Sequence, residues 1–539
     1  MRKYINIFVV ALATVMTTSC LEEEPRDQLY EDEIYSNADN IYINAVAVLY
    51  NYIGGSADSE GLQGTCRGVY DYNTLTTDEA MIPIRGGDWY DGGLWENMYQ
   101  HKWTPSDQPL YNTWKYLYKV VVLSNKSLSI IDKYSHHLTL EQKTAYEAEV
   151  RAIRALFYYY IMDMYGRVPL VTSYGDKQDE VVQSERSEVF RFIVNELQEV
   201  ANLLPAESSN KKGNCYGRVT APVAHFLLAK LALNAEVYCD DNWTDGLPQD
   251  GKEIFFSVDG ERLNAWETCV KYCEKLADAG YCLEDDYSYN FAVHNENSNE
   301  NIFTIPLDKH FYSAQFWYLF RSRHYNHGGA LGGSSENGTS ANVSTVLAYG
   351  YGTDEVDARF EKNFYAGVVV VDGKTVMMDN GKPLEYMPLE LKPNLTGSPY
   401  VKTAGARMAK YEVDRTSHSD GRQPDNDIVL FRYADVLLMK AEAKVRNGED
   451  GALELNEVRS RVGMPCREAT LENILQERLL ELVWEGWRRQ DMVRFGIFHK
   501  SYDQRIQLPD EDNGYTTVFP IPQKSIDLNP RLKQNVGYK

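Results

Sequence analysis

Positive charge is what this 539-residue chain is short of: 55 Lys and Arg stand against 78 Asp and Glu, a formal net charge of -23. A surface this acidic repels nucleic acid at long range, which argues against nucleic-acid binding and favours neutral ligands. Beyond the first twenty residues the sequence also lacks an apolar run long enough to cross a bilayer as a helix. The common catalytic signatures are missing: no Gly-x-Ser-x-Gly, Gly-x-Gly-x-x-Gly, Walker loop or His-Glu-x-x-His is present. There are ten histidines, and the single adjacent pair, His136 and His137, falls in a polar turn that suits a surface position better than a metal site. Acidic pairs such as Asp285 and Asp286 are frequent, but a glycosidase needs two carboxylates at a fixed separation across a cleft, and a sequence does not carry that distance. Of eight cysteines, Cys20 stands apart near the N terminus and leaves seven, an odd number that argues against a complete disulfide framework. Cys269 and Cys273, four apart on an expected helix, have no second pair at metal-site spacing and read as buried free thiols. The expectation is a protein that is not an enzyme, with no catalytic residue, metal or cofactor.

What is present begins with residues 1–19. Arg2 and Lys3 precede an apolar run from Ile7 to Met16, then the small residues Thr17, Thr18 and Ser19, and then Cys20. This is the layout of a secretory signal, with an apolar core too short to span and stay. Ending on Ser-Cys, it resembles a bacterial lipoprotein signal in which Cys20 becomes the lipidated first residue, although Thr17 stands where a large aliphatic residue is usual. "LEEEP" after the cysteine is similar to the acidic export signal of surface lipoproteins, and reads equally as a solvated linker. Residues 20–40 are taken as lipidated cysteine and tether. Two or more membrane signals anchor stably where one acyl chain does not.

Residues 41–283 and 429–539 carry helical periodicity. Segments 110–134, 141–166, 187–205, 219–238 and 265–280 are predicted helices, with Gly166 and Pro169 as a stop for the second. Helices of this length in antiparallel pairs predict a mostly α, tetratricopeptide-like helical-repeat scaffold with irregular spacing. Between them, residues 284–428 are rich in Gly, Asn, Ser and Tyr and read as a large irregular, loop-rich inserted lobe containing small β-hairpins, one turning at Asp372-Gly373. Helices return at 427–448, 452–463 and 470–496. In the last of these, Gly486 is expected inside a helix with another backbone close by. Glu485 is placed to pair with Arg488 and Arg489, in a structural rather than a catalytic role. "FPIPQKSIDLNP" reads as an extended segment laid over the helices.

Four segments in order, "RYADVLLMKAEA", "LNEVRSRVGMP", "ERLLELVWEGWRRQDMVRFG" and "VFPIPQKSIDLNPRLKQNVGY", resemble the signatures of the SusD/RagB family of outer-membrane glycan-binding lipoproteins. "TTDEAMIPIRGGDWYDGGLWENMYQHKWTP" (76–105) is similar to the N-terminal signature of many members. The resemblance implies a lipid-anchored protein of the cell outer membrane that binds oligo- or polysaccharide. It also implies a partner, a SusC-like TonB-dependent transporter, over which such proteins close as a lid. Peptide import, as in RagB-like members, and surface glycoside hydrolysis remain the alternatives.

The sequence has its own argument for sugars. Aromatic residues make up 12% of it, including 39 Tyr and 9 Trp, whose flat faces and polar tips suit ligands that are part apolar and part hydroxyl. Two Trp-bearing polar stretches are the candidate binding segments. The first supplies Arg85, Asp88, Trp89, Tyr90, Asp91, Trp95 and Asn97 among four glycines; the second supplies Lys309, Tyr312, Trp317, Tyr318, Arg321, His324 and Tyr325. Both are expected to converge on one shallow site, with a packing role for Trp89 and Trp95 equally open.

Overall fold

The computed structural model describes residues 31–175, 181–312 and 317–538. The signal segment, Cys20 and the first part of the tether lie outside these residues, as do the side chains of Trp317 and Tyr318.

Five helices of the N-terminal half form where the periodicity places them: α1 (Gln108–Lys133), α2 (Leu140–Tyr165), α3 (Arg186–Ala201), α4 (Ala221–Leu233) and α5 (Ala265–Asp278). Their starts are encoded locally. Capping boxes at Thr139/Gln142, Glu185/Glu188 and Asn264/Glu267 satisfy amide groups that a first helical turn leaves unpaired. Gly166, at φ +70°, ends α2. Each helix packs on the next, α1 on α2, α2 on α3, α3 on α4 and α4 on α5, as stacked helical repeats do. From Ala148 onward α2 is buried almost all round, which places its "FYYYIMDMY" run at the centre of the stack.

The C-terminal half continues the stack with α6 (Tyr433–Asn447), α7 (Ala452–Arg461), α8 (Leu471–Leu482) and α9 (Arg488–Arg494). Two expectations are corrected here. The residues Ile428–Arg432, expected to open a helix, form a strand antiparallel to Asn301–Ile305, both fully buried. The span 470–496 is two helices. Between them the chain bends at Trp484 (φ +69°) and Gly486 (φ +76°), so Gly486 lies in a left-handed bend and not in a helix interior. A Cβ there would lie 3.3 Å from the Tyr70 ring, so a close neighbour does exist, but it is a side chain. The Lys410 ammonium donates to the Glu481 and Val483 carbonyl oxygens at the end of α8.

The ion pairing around this bend also differs from the expected helical spacing. Glu485 meets Arg432 (2.7 Å) and Lys410 (2.5 Å), whereas Arg488 pairs with Asp78 and Arg489 with Asp163, each at 2.7 Å. Arg432 also reaches Glu300 (2.8 Å) and Glu481 (2.6 Å), and Arg359 reaches Glu477 (2.7 Å) and Glu481 (2.8 Å). These groups form a buried charged band joining α8, the lobe and the strand pair.

The lobe shares the main hydrophobic core through Phe291, Tyr349, Phe364 and Tyr411. A small second core of Val369, Val371, Val376, Leu384 and Tyr386 lies under the expected hairpin. There Val370–Val371 pairs with Lys374–Thr375, and Asp372 and Gly373 both take positive φ. The segment from Phe519 is extended as far as Pro522, with the Phe519 amide donating to the Met164 carbonyl oxygen, and then coils into a short helix, Gln523–Leu528. The seven described cysteines are free thiols, and no described helix is long and apolar enough to cross a membrane.

Candidate functional site

The two candidate stretches meet. Residues 84–93 are held by backbone bonds between Ile84 and both Pro393 and Leu395, and by a tight turn linking Arg85 and Asp88. Gly86, Gly92 and Gly93 take positive φ, and so do Trp89 (+62°) and Asp91 (+41°), a conformation that costs a non-glycine residue on the order of 1–3 kcal/mol. The result is a short, sharply folded loop that projects side chains up and down.

Those that point down build a base. Arg85 is buried and donates to Ser340 Oγ (2.8 Å) and to the carbonyl oxygens of Ala404 (2.9 Å) and Val401 (3.1 Å). Trp95 is buried, donates its Nε1–H to Asp91 (2.8 Å) and meets the edge of the half-buried Trp89 ring, the centroids 5.9 Å apart. Arg321 is buried in a two-pronged pair with Asp71 (2.7 and 3.0 Å), its guanidinium 5.7 Å from the Trp95 centroid. Trp89 donates to the Glu336 carbonyl oxygen (2.9 Å) and lies across Gly338, where a Cβ would come within 2.8 Å of the indole. His324 is buried as the cap of the short helix Tyr325–Ala330, accepting the Asn326 N–H at Nδ1. Burial, with Arg407 nearby, lowers its pKa to about 4, so it is neutral near pH 7.

Those that point outward form a rim. The Asp88 side chain, 40% exposed, accepts from Lys402 Nζ (2.6 Å), itself 42% exposed, and from the Tyr325 hydroxyl (3.0 Å). These bonds hold the Asp88 carboxyl below its usual range, the Lys402 bond most of all. Burial and the bond to Asp88 push the Tyr325 phenol up to about 12, so it remains an O–H donor. Tyr90, at 57% exposure on the same loop, and Asn97, in the short helix Leu94–Tyr99 that follows it, are open to solvent. Arg67 joins the rim by pairing with Asp58 (2.6 Å) and Asp91 (2.7 Å) while lying 5.5 Å from the Trp95 centroid.

Lys309 and Tyr312 sit apart from this cluster, in an open pocket of about 490 Å³ lined also by Lys212, Tyr216 and Phe311. Lys309 pairs there with Asp425 (2.9 Å), and the Tyr312 hydroxyl donates to the Gly55 carbonyl oxygen (3.0 Å). The two places are linked through residues 416–422: Thr416 accepts from Lys309, and Arg422 pairs with Glu336 (3.3 Å). Lys402, Arg67 and Glu336 escape a sequence reading, because Lys402 lies 314 residues from Asp88 and no periodic or motif signal marks any of them. Among the described residues, no cluster of three His, Cys, Asp or Glu side chains is arranged to hold a metal ion.

Two family models divide the chain between them. The model described as the SusD family matches residues 274–538, and one described as starch-binding, associating with the outer membrane, matches residues 33–233. The chain belongs to the SusD/RagB family. It is 25% identical to the starch-binding protein SusD of Bacteroides thetaiotaomicron, over the full length of both chains. It is also 25% identical to a SusD-like protein of Bacteroides ovatus, covering 90% of this chain and 82% of the relative. The surface glycan-binding protein A of Bacteroides thetaiotaomicron, solved in complex with laminarihexaose, superposes with a TM-score of 0.69 at 21% identity, over 92% of this chain and 99% of that one. The mostly α, tetratricopeptide-like architecture is thus that of the SusD fold.

Proposed function

We propose that this SusD-family protein is a cell-surface glycan-binding lipoprotein that captures oligosaccharides and passes them to a SusC-like TonB-dependent transporter. The observation that carries the reading is the rim of Asp88, Tyr325 and Lys402 beside the open Tyr90 ring, set on a base whose arginines and tryptophans are already bonded. A sugar presents an apolar CH face and a ring of hydroxyls, which match an exposed aromatic face with donors and acceptors at its edge. Each hydroxyl exchanges water for protein, a net gain of about 1 kcal/mol per bond, so affinity sums several weak contacts. Arg85, Trp89, Trp95, Arg321 and His324 would then position the surface, while Asp88, Tyr90, Asn97 and Tyr325, with Trp317 and Tyr318, would touch the ligand. Lys309 and Tyr312 would form a neighbouring part of the same face. The relative named as starch-binding and the fold neighbour holding laminarihexaose support a glucan as the first ligand to try.

Cys20 would carry the lipid and the residues up to 30 would tether the protein to the outer membrane, because from Glu31 onward the chain is packed against α1. The irregular lobe at 284–428 would supply much of the binding face, and the helical scaffold on either side would hold it over the transporter. Binding favours a closed lid only through tighter affinity for the closed state, and no chemistry on the substrate is involved.

Calorimetric titration of residues 21–539 with maltoheptaose, laminarihexaose, xylohexaose and a peptide mixture tests the reading, with Tyr90→Ala and Trp317→Ala as paired variants. Saturable heat with one glycan class, weakened in the variants, is expected. Heat with peptides alone would overturn it, and release of reducing sugar would make the protein an enzyme. Removal of the barrel partner is expected to abolish uptake and leave glycan affinity unchanged.

A further inference from the structure

An open apolar groove lies outside this site, and none of its lining residues belongs to the rim or the base. It measures about 510 Å³ and runs along α1, lined by Tyr111, Trp114, Tyr118, Val122, Leu528 and Leu532. Val122 is 47% exposed and Leu528 60%, although both belong to well-packed segments.

The groove has a basic rim on an acidic molecule. Lys115, Lys119, Lys126 and Lys133 recur along the solvent face of α1 with Val122 among them; Lys115 and Lys133 are eighteen residues apart, about five turns, and so point the same way. Lys524 reaches over from the C-terminal segment to within 5.0 Å of the Tyr111 ring centroid, and Lys115 lies 5.6 Å from the same ring. Lys119 and Lys133 meet Glu60 (3.7 Å) and Glu31 (2.9 Å). Lys126 has no ionic partner among the described residues. Tyr and Trp beside lysines with apolar stems are the side chains favoured where hydrocarbon meets charged headgroups.

The chain enters the described fold on this same face. Glu31 is bonded to Lys133, and Asp32 accepts from Tyr134 at the end of α1. Eleven residues separate Cys20 from Glu31, a reach of at most about 40 Å. Val122 lies eleven residues along the helix from Lys133, about 17 Å. If Cys20 is lipidated, as the proposed function holds, the tether enters at this face and its length allows the groove to reach the bilayer.

We propose that the lysine-rimmed groove of α1 is a membrane-docking face, which sets its basic stripe and apolar side chains against the phosphate headgroups of an anionic lipid surface. The net charge of -23 repels such a surface in most orientations. Within a Debye length of about 8 Å the local stripe dominates, so docking also fixes which way the molecule faces.

The test uses residues 21–539 without lipid, which retain every described element, in co-sedimentation with phosphatidylcholine vesicles with and without phosphatidylglycerol. Binding that needs phosphatidylglycerol and is released by high salt is expected. The combined variant Lys115→Glu/Lys119→Glu/Lys126→Glu is expected to lose about a hundredfold in partitioning, at roughly fivefold for each lysine brought to the surface. Val122→Asp, which leaves the charges in place, is expected to weaken binding as well. Binding indifferent to phosphatidylglycerol, no vesicle binding, or a triple variant that partitions like the parent would overturn the proposal; a groove that takes a protein segment instead gives the second of these. Unfolding midpoints verify that the variants fold. Unchanged glycan titration in the triple variant separates failure of docking from failure of the sugar reading.

Discussion

Two regions of this protein are built from the same residue types and put them to opposite uses. In the band around α8, Arg432 faces Glu300, Glu481 and Glu485 with almost no exposure on either side. On the rim, Asp88 and Lys402 make an equally short contact, 2.6 Å, with some two-fifths of each side chain in water. In the dry band every charge is committed to another charge, and removing one strands the rest. On the wet rim each partner still exchanges with water, so a ligand hydroxyl can take water's place without breaking the fold. Burial, rather than residue type, separates the charges that hold this protein from those free to recognise something.

The largest break in that comparison is Arg432→Met. It leaves Glu300, Glu481 and Glu485 short of a counter-charge, and urea unfolding is expected to show a loss of about 3–5 kcal/mol; a loss below about 1 kcal/mol would erase the contrast. Next is the acid limb. Burial raises the Glu442 carboxyl, but Arg494 and Arg446 more than offset this and hold it at about 2 against an ordinary 4.5. The folded state therefore binds its proton later than the unfolded one. The stabilisation, on the order of 3 kcal/mol, is present above about pH 4.5 and lost as pH falls toward 2. Glu442→Gln is expected to flatten that part of a stability-against-pH curve. On the rim the effects move from folding to binding: Tyr90→Ala is expected to weaken the preferred glycan about tenfold by calorimetry while shifting stability by less than about 0.5 kcal/mol. The smallest change is expected for Lys402→Ala, below about 1 kcal/mol in unfolding because its pair is exposed, with glycan affinity reduced a few-fold.

The long helices were legible because one period runs through each and a capping residue marks the start, as Thr139 does for α2. The strand Ile428–Arg432 was not, since the short apolar run Ile428–Phe431 reads alike as buried helix or buried strand, and its partner lies more than 120 residues earlier. Nor was the break after Leu482. No proline marks it, and it depends on the Trp484 amide finding Glu79 Oε1 at 2.8 Å, a contact made across 405 residues. For the candidate site, aromatic and polar composition picked out both stretches, glycines marking only the first, and the Asp88–Tyr325 bond joins them. Burial was the missing quantity. Arg85, Arg321 and His324 have the residue types of ligand contacts, and only the fold distinguishes them from Tyr90 and Lys402.

The strand pair of Asn301–Ile305 with Ile428–Arg432 has a consequence for how such a protein diversifies. It clamps both ends of most of the lobe side by side, so whatever lies between 306 and 427 begins and ends at the same place on the scaffold whatever its length. Lengthening a loop whose ends are already closed adds little entropic penalty, about 0.6 kcal/mol per doubling. The part of the proposed binding face that lies between 306 and 427 is therefore held as an exchangeable cassette: its loops can change in length and sequence while the helices beneath stay in register.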